Sequence, residues 1–479
     1  MTYRTPGVYV EEISVFPPSV AEVETAIPAF IGYTEFAKKD GADMEDPDPI
    51  AISSLKEYEE HFGVACVEAA DAFSIIINEK HDAADAIIGY ELISWGPTDK
   101  ISHFNLYYSM KLFFDNGGGK CYVVSAGLYS ENAVDDDKLI SATAKVKSLD
   151  EPTLIVIPEG APLGIAKYIP IAQAAINQCA EMKDRFAILD VPIAAPKKKF
   201  EASDITEFRK LSGDADHIRY SASYYPYLKS TITYSTDMGV LELATVKKNG
   251  VDDAANVLKG KKLGEIQSTN NSAYHAILSE LKGKLKVVLP PSPAMAGIYA
   301  RVDSSRGVWK APANVSVQSV SGPSQILTDA DQGDLNMDSV GGKSINVIRS
   351  FSGRGTIVWG GRTLDGNSNE WRYINVRRFF NMVEESVQKS TVWAVFEPNT
   401  KNTWVMVKSM IENYLITKWQ QGALAGAKPD DAFYVKVGLG VTMTADDILN
   451  GIMNVEIGMA VARPAEFIVL KFSHKMQVS

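Results

Sequence analysis

The sequence predicts a multi-domain α/β (α+β) protein that carries a strand-like segment at each end of the chain. Short, continuous apolar runs recur in the first two thirds, for example at residues 154–157 and 186–189. Stretches of helical composition, such as residues 164–184, lie between them. Near-continuous apolar strands that alternate with helices indicate a sheet covered on both faces. A chain of 479 residues favours two or three domains over a single core.

The first predicted element is an N-terminal arm strand, in residues 1–25. It is a β-prone run that follows Pro6 and Gly7 and stops before Pro17: Val8, Tyr9, Val10, Glu11, Glu12 and Ile13. A lone strand so close to a terminus cannot satisfy its own backbone hydrogen-bonding groups. We therefore expect it to join a sheet of its own chain or of a neighbouring chain.

The next predicted block, residues 26–310, carries the α/β pattern. Within it, residues 229–284 are polar and rich in Thr, Lys, Asn and Gly, and we interpret them as an insertion or elaborated loop. Residues 311–343 shift towards Ser, Asn, Gln, Asp and Gly with few large apolar side chains. Such a composition is typical of a connection between domains.

A C-terminal α+β domain is predicted for residues 344–465. Its first helix, residues 371–389, places apolar side chains on one face and Arg378, Glu385 and Lys389 on the other. A second helix is expected at about 403–421, and alternating strands follow at 433–437 and 455–461. The chain then ends in a C-terminal arm strand, residues 466–479, whose core is Phe467, Ile468, Val469, Leu470, Lys471 and Phe472.

The charges and cysteines exclude several classes of protein. The net charge of −11 argues against general nucleic-acid binding, although residues 340–479 carry +4 and residues 1–339 carry −15. A basic C-terminal third indicates an acidic partner for that third. Cys66, Cys121 and Cys179 are too few and too far apart for a disulfide framework, and we expect each to be a buried small hydrophobe.

The sequence carries no catalytic pattern that we would defend. Its six histidines lack metal-binding spacing, and Gly117, Gly118 and Gly119 precede a strand, the wrong side for a phosphate loop. We therefore expect no enzyme activity, no metal and no cofactor. No apolar run is long enough to span a membrane, and the first residues lack an apolar signal core, so we expect folding in the cytoplasm.

Several segments resemble contractile tail sheath proteins of phages, R-type pyocins and extracellular contractile injection systems. They occur in the family's order and run from the start of the chain into its C-terminal third: residues 5–12, 17–20 and 26–33, then 290–292, 296–303 and 306–314, then 358–364, 373–378 and 396–399. Each motif alone is weak, but several in the correct order are specific. Residues 229–284 resemble nothing in the family, so no role is transferred to them.

The resemblance implies a structural subunit that stacks as six-membered rings around an inner tube and contracts to drive that tube through a target envelope. The implied partners are other copies of the chain, the inner tube protein, and baseplate and terminal cap proteins, with no direct nucleic-acid contact and no membrane insertion. Residues 26–310 would face outward, the C-terminal domain would face the tube, and both arms would add strands to neighbouring subunits. The candidate tube-facing charges are Lys401, Lys408, Lys418, Arg377 and Arg378.

Two alternatives stay open on the sequence. Another self-assembling shell or tube protein would also carry strand-like arms at both ends. An α/β enzyme is compatible with the central pattern alone, since a fold does not determine a function. Assembly in the cytoplasm, followed by incorporation into a released or membrane-docked particle, is the location that the resemblance implies.

Overall fold

The computed structural model describes residues 19–98, 100–193, 202–211 and 214–470. The described chain forms two compact units. The large unit comprises residues 24–378 with 464–470, and the C-terminal unit comprises residues 379–463 with 19–23. The predicted N-terminal strand, Val8 to Ile13, lies outside the described residues, as do Lys471 and Phe472 of the C-terminal arm.

The strands in chain order are β1 (Pro28–Thr34), β2 (Lys38–Lys39), β3 (Ala42–Asp43), β4 (Ile50–Ile52), β5 (Phe73–His81), β6 (Ile87–Pro97), β7 (Cys121–Leu128), β8 (Leu154–Val156), β9 (Phe186–Asp190), β10 (Ser221–Tyr225), β11 (Leu228–Thr233), β12 (Leu243–Lys248), β13 (Val251–Asp252), β14 (Lys286–Leu289), β15 (Val315–Ser316), β16 (Val320–Pro323), β17 (Ile345–Phe351), β18 (Gly355–Val358), β19 (Phe433–Val437) and β20 (Val455–Met459). The helices are α1 (Leu55–Phe62), α2 (Leu106–Asp115), α3 (Asp136–Lys145), α4 (Ile165–Met182), α5 (Ala202–Phe208), α6 (Ala215–Ile218), α7 (Leu263–Thr269), α8 (Asn271–Leu281), α9 (Ser292–Arg306), α10 (Asp329–Asn336), α11 (Ile374–Ser390), α12 (Lys401–Gln420), α13 (Pro429–Ala432) and α14 (Ala445–Leu449).

A nine-stranded sheet in the order β15-β18-β17-β10-β9-β8-β1-β7-β4 forms the centre of the large unit. The six strands from β17 to β7 pair in parallel, whereas β4, β18 and β15 pair antiparallel at the two edges. Alternate β1 side chains enter different cores: Phe30 packs with the buried residues of α2 and α9, and Ala29 and Ile31 pack with those of α3 and α4. Helices therefore cover both faces of the sheet, which confirms the predicted α/β class.

The strands after residue 311 place the unit boundary later than the sequence suggested. β15 lies in the predicted connection, residues 311–343, yet it pairs with β18 at the edge of the large sheet. β17 and β18 begin the predicted C-terminal domain, yet β17 pairs with β10 of the large sheet. The division falls after Arg378 and not at residue 344. The polar composition of residues 311–343 predicted a linker. Edge strands also carry polar side chains, so composition alone does not distinguish them from a linker.

A smaller sheet, β13-β12-β5-β6, includes two strands of the segment that was interpreted as an insertion, β12 and β13. Strand β12 pairs in parallel with β5, which lies about 170 residues earlier in the chain. Buried residues of α7 and α8 complete its core, including Leu263, Ile266 and Ile277. Residues 241–281 thus belong to a folded layer, completed by a β5–β6 hairpin that the sequence did not predict, whereas β11 at the start of the segment pairs with β14 and β16 in another sheet.

Candidate assembly surfaces

The C-terminal unit carries an antiparallel hairpin of β19 and β20, at the two positions where alternating strands were predicted. Phe433 pairs with Met459, and Val437 pairs with Val455. Within the part of the chain that the structure describes, this sheet contains no third strand. Each strand therefore presents an outer edge, and an open strand edge is a template for pairing with another chain.

An apolar groove of about 950 Å³ lies beside this hairpin, within the same unit. Its walls come from α11, α12 and β20, including Val383, Val407 and Ile457. Phe396 lies at its rim, is fully exposed, and has a φ of 68°, which is strained for a bulky residue. Open apolar surface of this extent, next to an open strand edge, is typical of an interaction site.

The described part of the C-terminal arm is a run of exposed apolar residues. Phe467, Ile468, Val469 and Leu470 are 69, 78, 77 and 72% exposed. They form no strand within this chain as far as Leu470, the last described residue. Complete burial of such a side chain is worth about 1.5–3 kcal/mol, so covering this segment is strongly favoured.

Residues 21–23 are fixed to the helices of the C-terminal unit and follow the predicted N-terminal arm strand in the sequence. The backbone N–H of Ala21 donates to Ser390 Oγ at 3.0 Å, and that of Val23 donates to Ser386 Oγ at 3.1 Å. Between them, the carboxylate of Glu22 accepts a hydrogen bond from Lys418 Nζ. Glu22 and Lys418 are 396 residues apart, so the sequence offered no signal for this pair.

The predicted tube-facing charges differ in their accessibility. Lys401 is exposed at the start of α12, and Lys408, two turns further along on the same side, lies 3.6 Å from Glu412 in an ion pair. Lys418 is only 4% exposed and is bonded to Glu22 and Gln421. The assignment of Lys418 as a tube-facing charge is therefore corrected, because its ammonium group is already bound within its own unit.

Arg377 and Arg378 are corrected in the same way, since both are buried in the large unit. The Arg377 guanidinium stacks 4.2 Å from the Trp371 ring centre and 4.8 Å from that of Tyr220. Arg378 makes hydrogen bonds of 2.5 and 3.1 Å to Asp303 and of 2.7 Å to the carbonyl oxygen of Thr25. These arginines join distant segments of the subunit instead of facing a partner.

Two buried carboxylates hold helix N-termini at the carboxyl edge of the parallel strands. Glu159 accepts hydrogen bonds from the N–H of Tyr33 at 2.7 Å and of Leu106, the first residue of α2, at 2.9 Å. Asp190 accepts from the N–H of Ser292, the first residue of α9, at 2.7 Å. Burial raises the pKa of Glu159 to about 8 and that of Asp190 to about 7. A Cβ at Gly32 would lie 2.8 Å from the Glu159 carboxylate, so glycine there allows the close approach.

The raised pKa of Glu159 makes the stability of the subunit depend on pH. The folded state holds a proton on this group that the unfolded state has released, between the ordinary value of 4.5 and about 8. Its contribution is therefore complete below pH 4.5 and is lost as the pH rises towards 8. We expect the free energy of unfolding to fall by on the order of 5 kcal/mol more in the wild type than in Glu159→Gln over this interval. Urea denaturation at several pH values measures the free energy of unfolding of both proteins. An equal dependence on pH in the two would contradict a raised pKa for Glu159.

The described residues contain no group of three or more His, Cys, Asp and Glu side chains arranged to hold a metal ion. Among the helices of that same part of the chain, none is both long and apolar enough to cross a membrane. Cys121 and Cys179 are buried, as expected, whereas Cys66 is only half-buried. The buried acids bond to backbone N–H groups, and Asp190 also accepts a hydrogen bond from the Ser292 hydroxyl at 2.5 Å, so their geometry supports helix anchoring.

Two family descriptions match successive parts of the chain. The phage tail sheath protein central domain matches residues 170–364, and the phage tail sheath C-terminal domain matches residues 367–475. The tail sheath protein of Vibrio phage KVP40 is 27% identical over 127 residues, which are 26% of this chain and 19% of that protein. The chain thus spans about a fifth of the length of this curated relative.

Solved sheath structures match almost the whole chain. The sheath complex of the PVC extracellular contractile injection system, in its contracted state, is 30% identical with a TM-score of 0.64, and 99% of each chain is covered. The contracted helical sheath of the anti-feeding prophage (AFP) is 29% identical with a TM-score of 0.62, and the match covers 99% of this chain and 100% of that one. Similarity over the full length includes both units described above.

Proposed function

Because this chain belongs to the phage tail sheath family, we propose that it is the subunit of a contractile sheath. It polymerises as stacked six-membered rings around an inner tube and contracts to drive the tube through a target cell envelope. The observation that carries this proposal is the 30% identity to the PVC sheath over 99% of the chain. The structural role of the family supports a subunit without enzyme activity.

The partners we infer are other copies of the chain, an inner tube protein, and baseplate and terminal cap proteins. Self-assembly and baseplate association are supported by the similarity to the AFP baseplate in its contracted state, at 26% identity and a TM-score of 0.68. Assembly takes place in the cytoplasm, and the sheath then becomes part of a released or membrane-docked particle.

We infer that the arms link subunits by strand addition at the hairpin of β19 and β20. The hairpin offers two outer edges, and each chain offers two arms, one ending at Ile13 and one beginning near Glu466. The apolar groove takes side chains of the C-terminal arm of a second copy, whose Phe467–Leu470 run is exposed. Ordering a residue costs about 1–2 kcal/mol, so burial of these side chains leaves a modest surplus per arm. Repetition over a lattice makes that surplus large.

Lys401 and Lys408 are the tube-facing charges that we retain from the sequence. Exposed ion pairs contribute about 0–1 kcal/mol each and are weakened by salt. Many such contacts along a tube hold the extended state together yet release in concert. The energy of contraction is then stored in the packing of the extended lattice, because a metastable packing can switch without a chemical fuel.

Electron microscopy of the expressed chain tests the proposed function. We expect long hollow cylinders, of a contracted and wide form. Short closed shells or tubes of another symmetry would favour a different assembly protein. A compact monomer at all concentrations and salt conditions, above all one that converts a small molecule, would contradict the proposal.

A further inference from the structure

The first residue of the C-terminal arm is held in the large unit by a bidentate ion pair. Arg362 Nε donates to Glu466 Oε1 at 2.9 Å, and Arg362 Nη2 donates to Oε2 at 2.6 Å. Asn336 Nδ2 and the Tyr373 hydroxyl add hydrogen bonds at 3.0 and 3.3 Å. The side chain of Arg362 is 3% exposed and that of Glu466 is 21% exposed. Paired guanidinium–carboxylate bonds fix direction as well as distance.

Arg362 is in turn fixed to the nine-stranded sheet. Its backbone N–H donates to Asn346 Oδ1 at 2.8 Å, and its carbonyl oxygen accepts from Asn346 Nδ2 at 2.7 Å. Asn346 lies in β17, is 1% exposed, and also donates to the carbonyl oxygen of Ser223 in β10 at 3.2 Å. A continuous set of hydrogen bonds therefore connects Glu466 to two central strands.

The side chains change from hydrogen-bonded and partly buried to exposed and apolar immediately beyond Glu466. Glu466 is partly buried and makes four hydrogen bonds, whereas Phe467 is 69% exposed and Leu470 is 72% exposed. Burial raises the pKa of Glu466, but the hydrogen bonds from Arg362 and Asn336 outweigh burial and hold the pKa below its ordinary value. The Glu466 carboxylate is thus charged at neutral pH, as its ion pair with Arg362 requires.

We propose that Glu466 and Arg362 form a clamp that fixes the root of the C-terminal arm. The clamp confines movement of the arm to residues beyond 466 and passes the pull of a neighbouring subunit to the nine-stranded sheet. This inference rests on the proposed function, because the clamp bears a load only when a second copy holds the arm. Glu466 and Arg362 act as positioning residues: they set where the arm leaves the subunit and do not themselves touch the neighbour.

The test compares cylinders of the wild type, Glu466→Gln and the control Glu181→Gln. Glu181 forms an exposed ion pair with Lys147 on the large unit, with 62% of its side chain exposed, so its loss changes charge equally without touching the arm. We expect Glu466→Gln subunits to fold but to melt below the wild-type temperature, because the largely buried Arg362 loses its charged partner; the cylinders are therefore compared at a denaturant concentration at which all subunits stay folded. The Glu466→Gln cylinders should dissociate about tenfold faster in denaturant, which corresponds to about 1.4 kcal/mol. The control should match the wild type.

Tyr373→Phe supplies a milder variant in case Glu466→Gln fails to fold. It removes one hydrogen bond to the same carboxylate with little change of shape, and a dissociation rate a few times higher is expected. Wild-type dissociation rates in both variants would overturn the clamp while leaving the sheath function intact. Failure of the wild type itself to form cylinders would contradict the proposed function instead, so the two failures are distinguishable.

Discussion

A chain that lacks residues 1–15 is expected to remain folded and soluble but to form no cylinders. The described attachment of the N-terminal segment begins later, at Ala21, Glu22 and Val23, which bond to α11 and α12. The truncation therefore leaves the described contacts of residues 21–23 in place. It removes the strand at Val8 to Ile13 that we expect to pair with an edge of a neighbour's hairpin.

Two measurements separate assembly from folding in this truncation. Thermal denaturation should show a melting temperature close to that of the soluble wild-type subunit, and electron microscopy should show no cylinders. A matched control keeps the length of the chain but replaces residues 8–13 with Gly and Ser, which cannot supply the strand's side chains. Normal cylinders from either variant would refute the N-terminal arm, and an unfolded truncation would show that the segment belongs to its own subunit.

The local elements of the fold were largely predictable from the sequence. Helix α4, predicted at 164–184, is observed at Ile165–Met182, and strand β19 is observed at its predicted residues, Phe433–Val437. The hydrophobic pattern of each of these elements lies within a short stretch of sequence, so the sequence alone is enough to predict the element. The β5–β6 hairpin was missed because its strands carry polar residues such as Glu79, whose partner Asn256 lies 177 residues away.

The candidate site was predictable only where its residues are exposed. Helical periodicity placed Arg378 and Glu385 on a polar face, yet both are less than 9% exposed. A charge on a helix is assigned to solvent by default, because its buried partner can lie anywhere in the chain. Asp303 lies 75 residues from Arg378, and Glu466 lies 104 residues from Arg362. Neither pairing has a local pattern that single-sequence reasoning could detect.

Loss of the Arg378 charge is expected to cause the largest loss of stability in the large unit. The side chains of Arg378 and Asp303 are 3 and 6% exposed, and Thr25 Oγ1 also donates to Asp303 at 2.7 Å. Arg378→Met leaves the Asp303 carboxylate and the carbonyl oxygen of Thr25 buried without their main donor. Removing one partner of a buried ion pair typically costs about 3–5 kcal/mol. Chemical denaturation of the soluble subunit measures this loss.

A double-mutant cycle shows whether that loss belongs to the pair. Arg378→Met combined with Asp303→Leu removes both charges, and the combined loss should be smaller than the sum of the two single losses. Arg354→Met is the matched control, since Arg354 is exposed and lies over the Trp359 ring at 5.7 Å, and its effect should stay below about 1 kcal/mol. Additive losses in the cycle would mean that Arg378 stabilises the unit through packing on the Tyr299 ring, 4.6 Å away, and not through its charge. A subadditive result would show that the charges of Arg378 and Asp303 stabilise the unit together. The pair would then connect the start of α11 with the end of α9 and with the segment around Thr25.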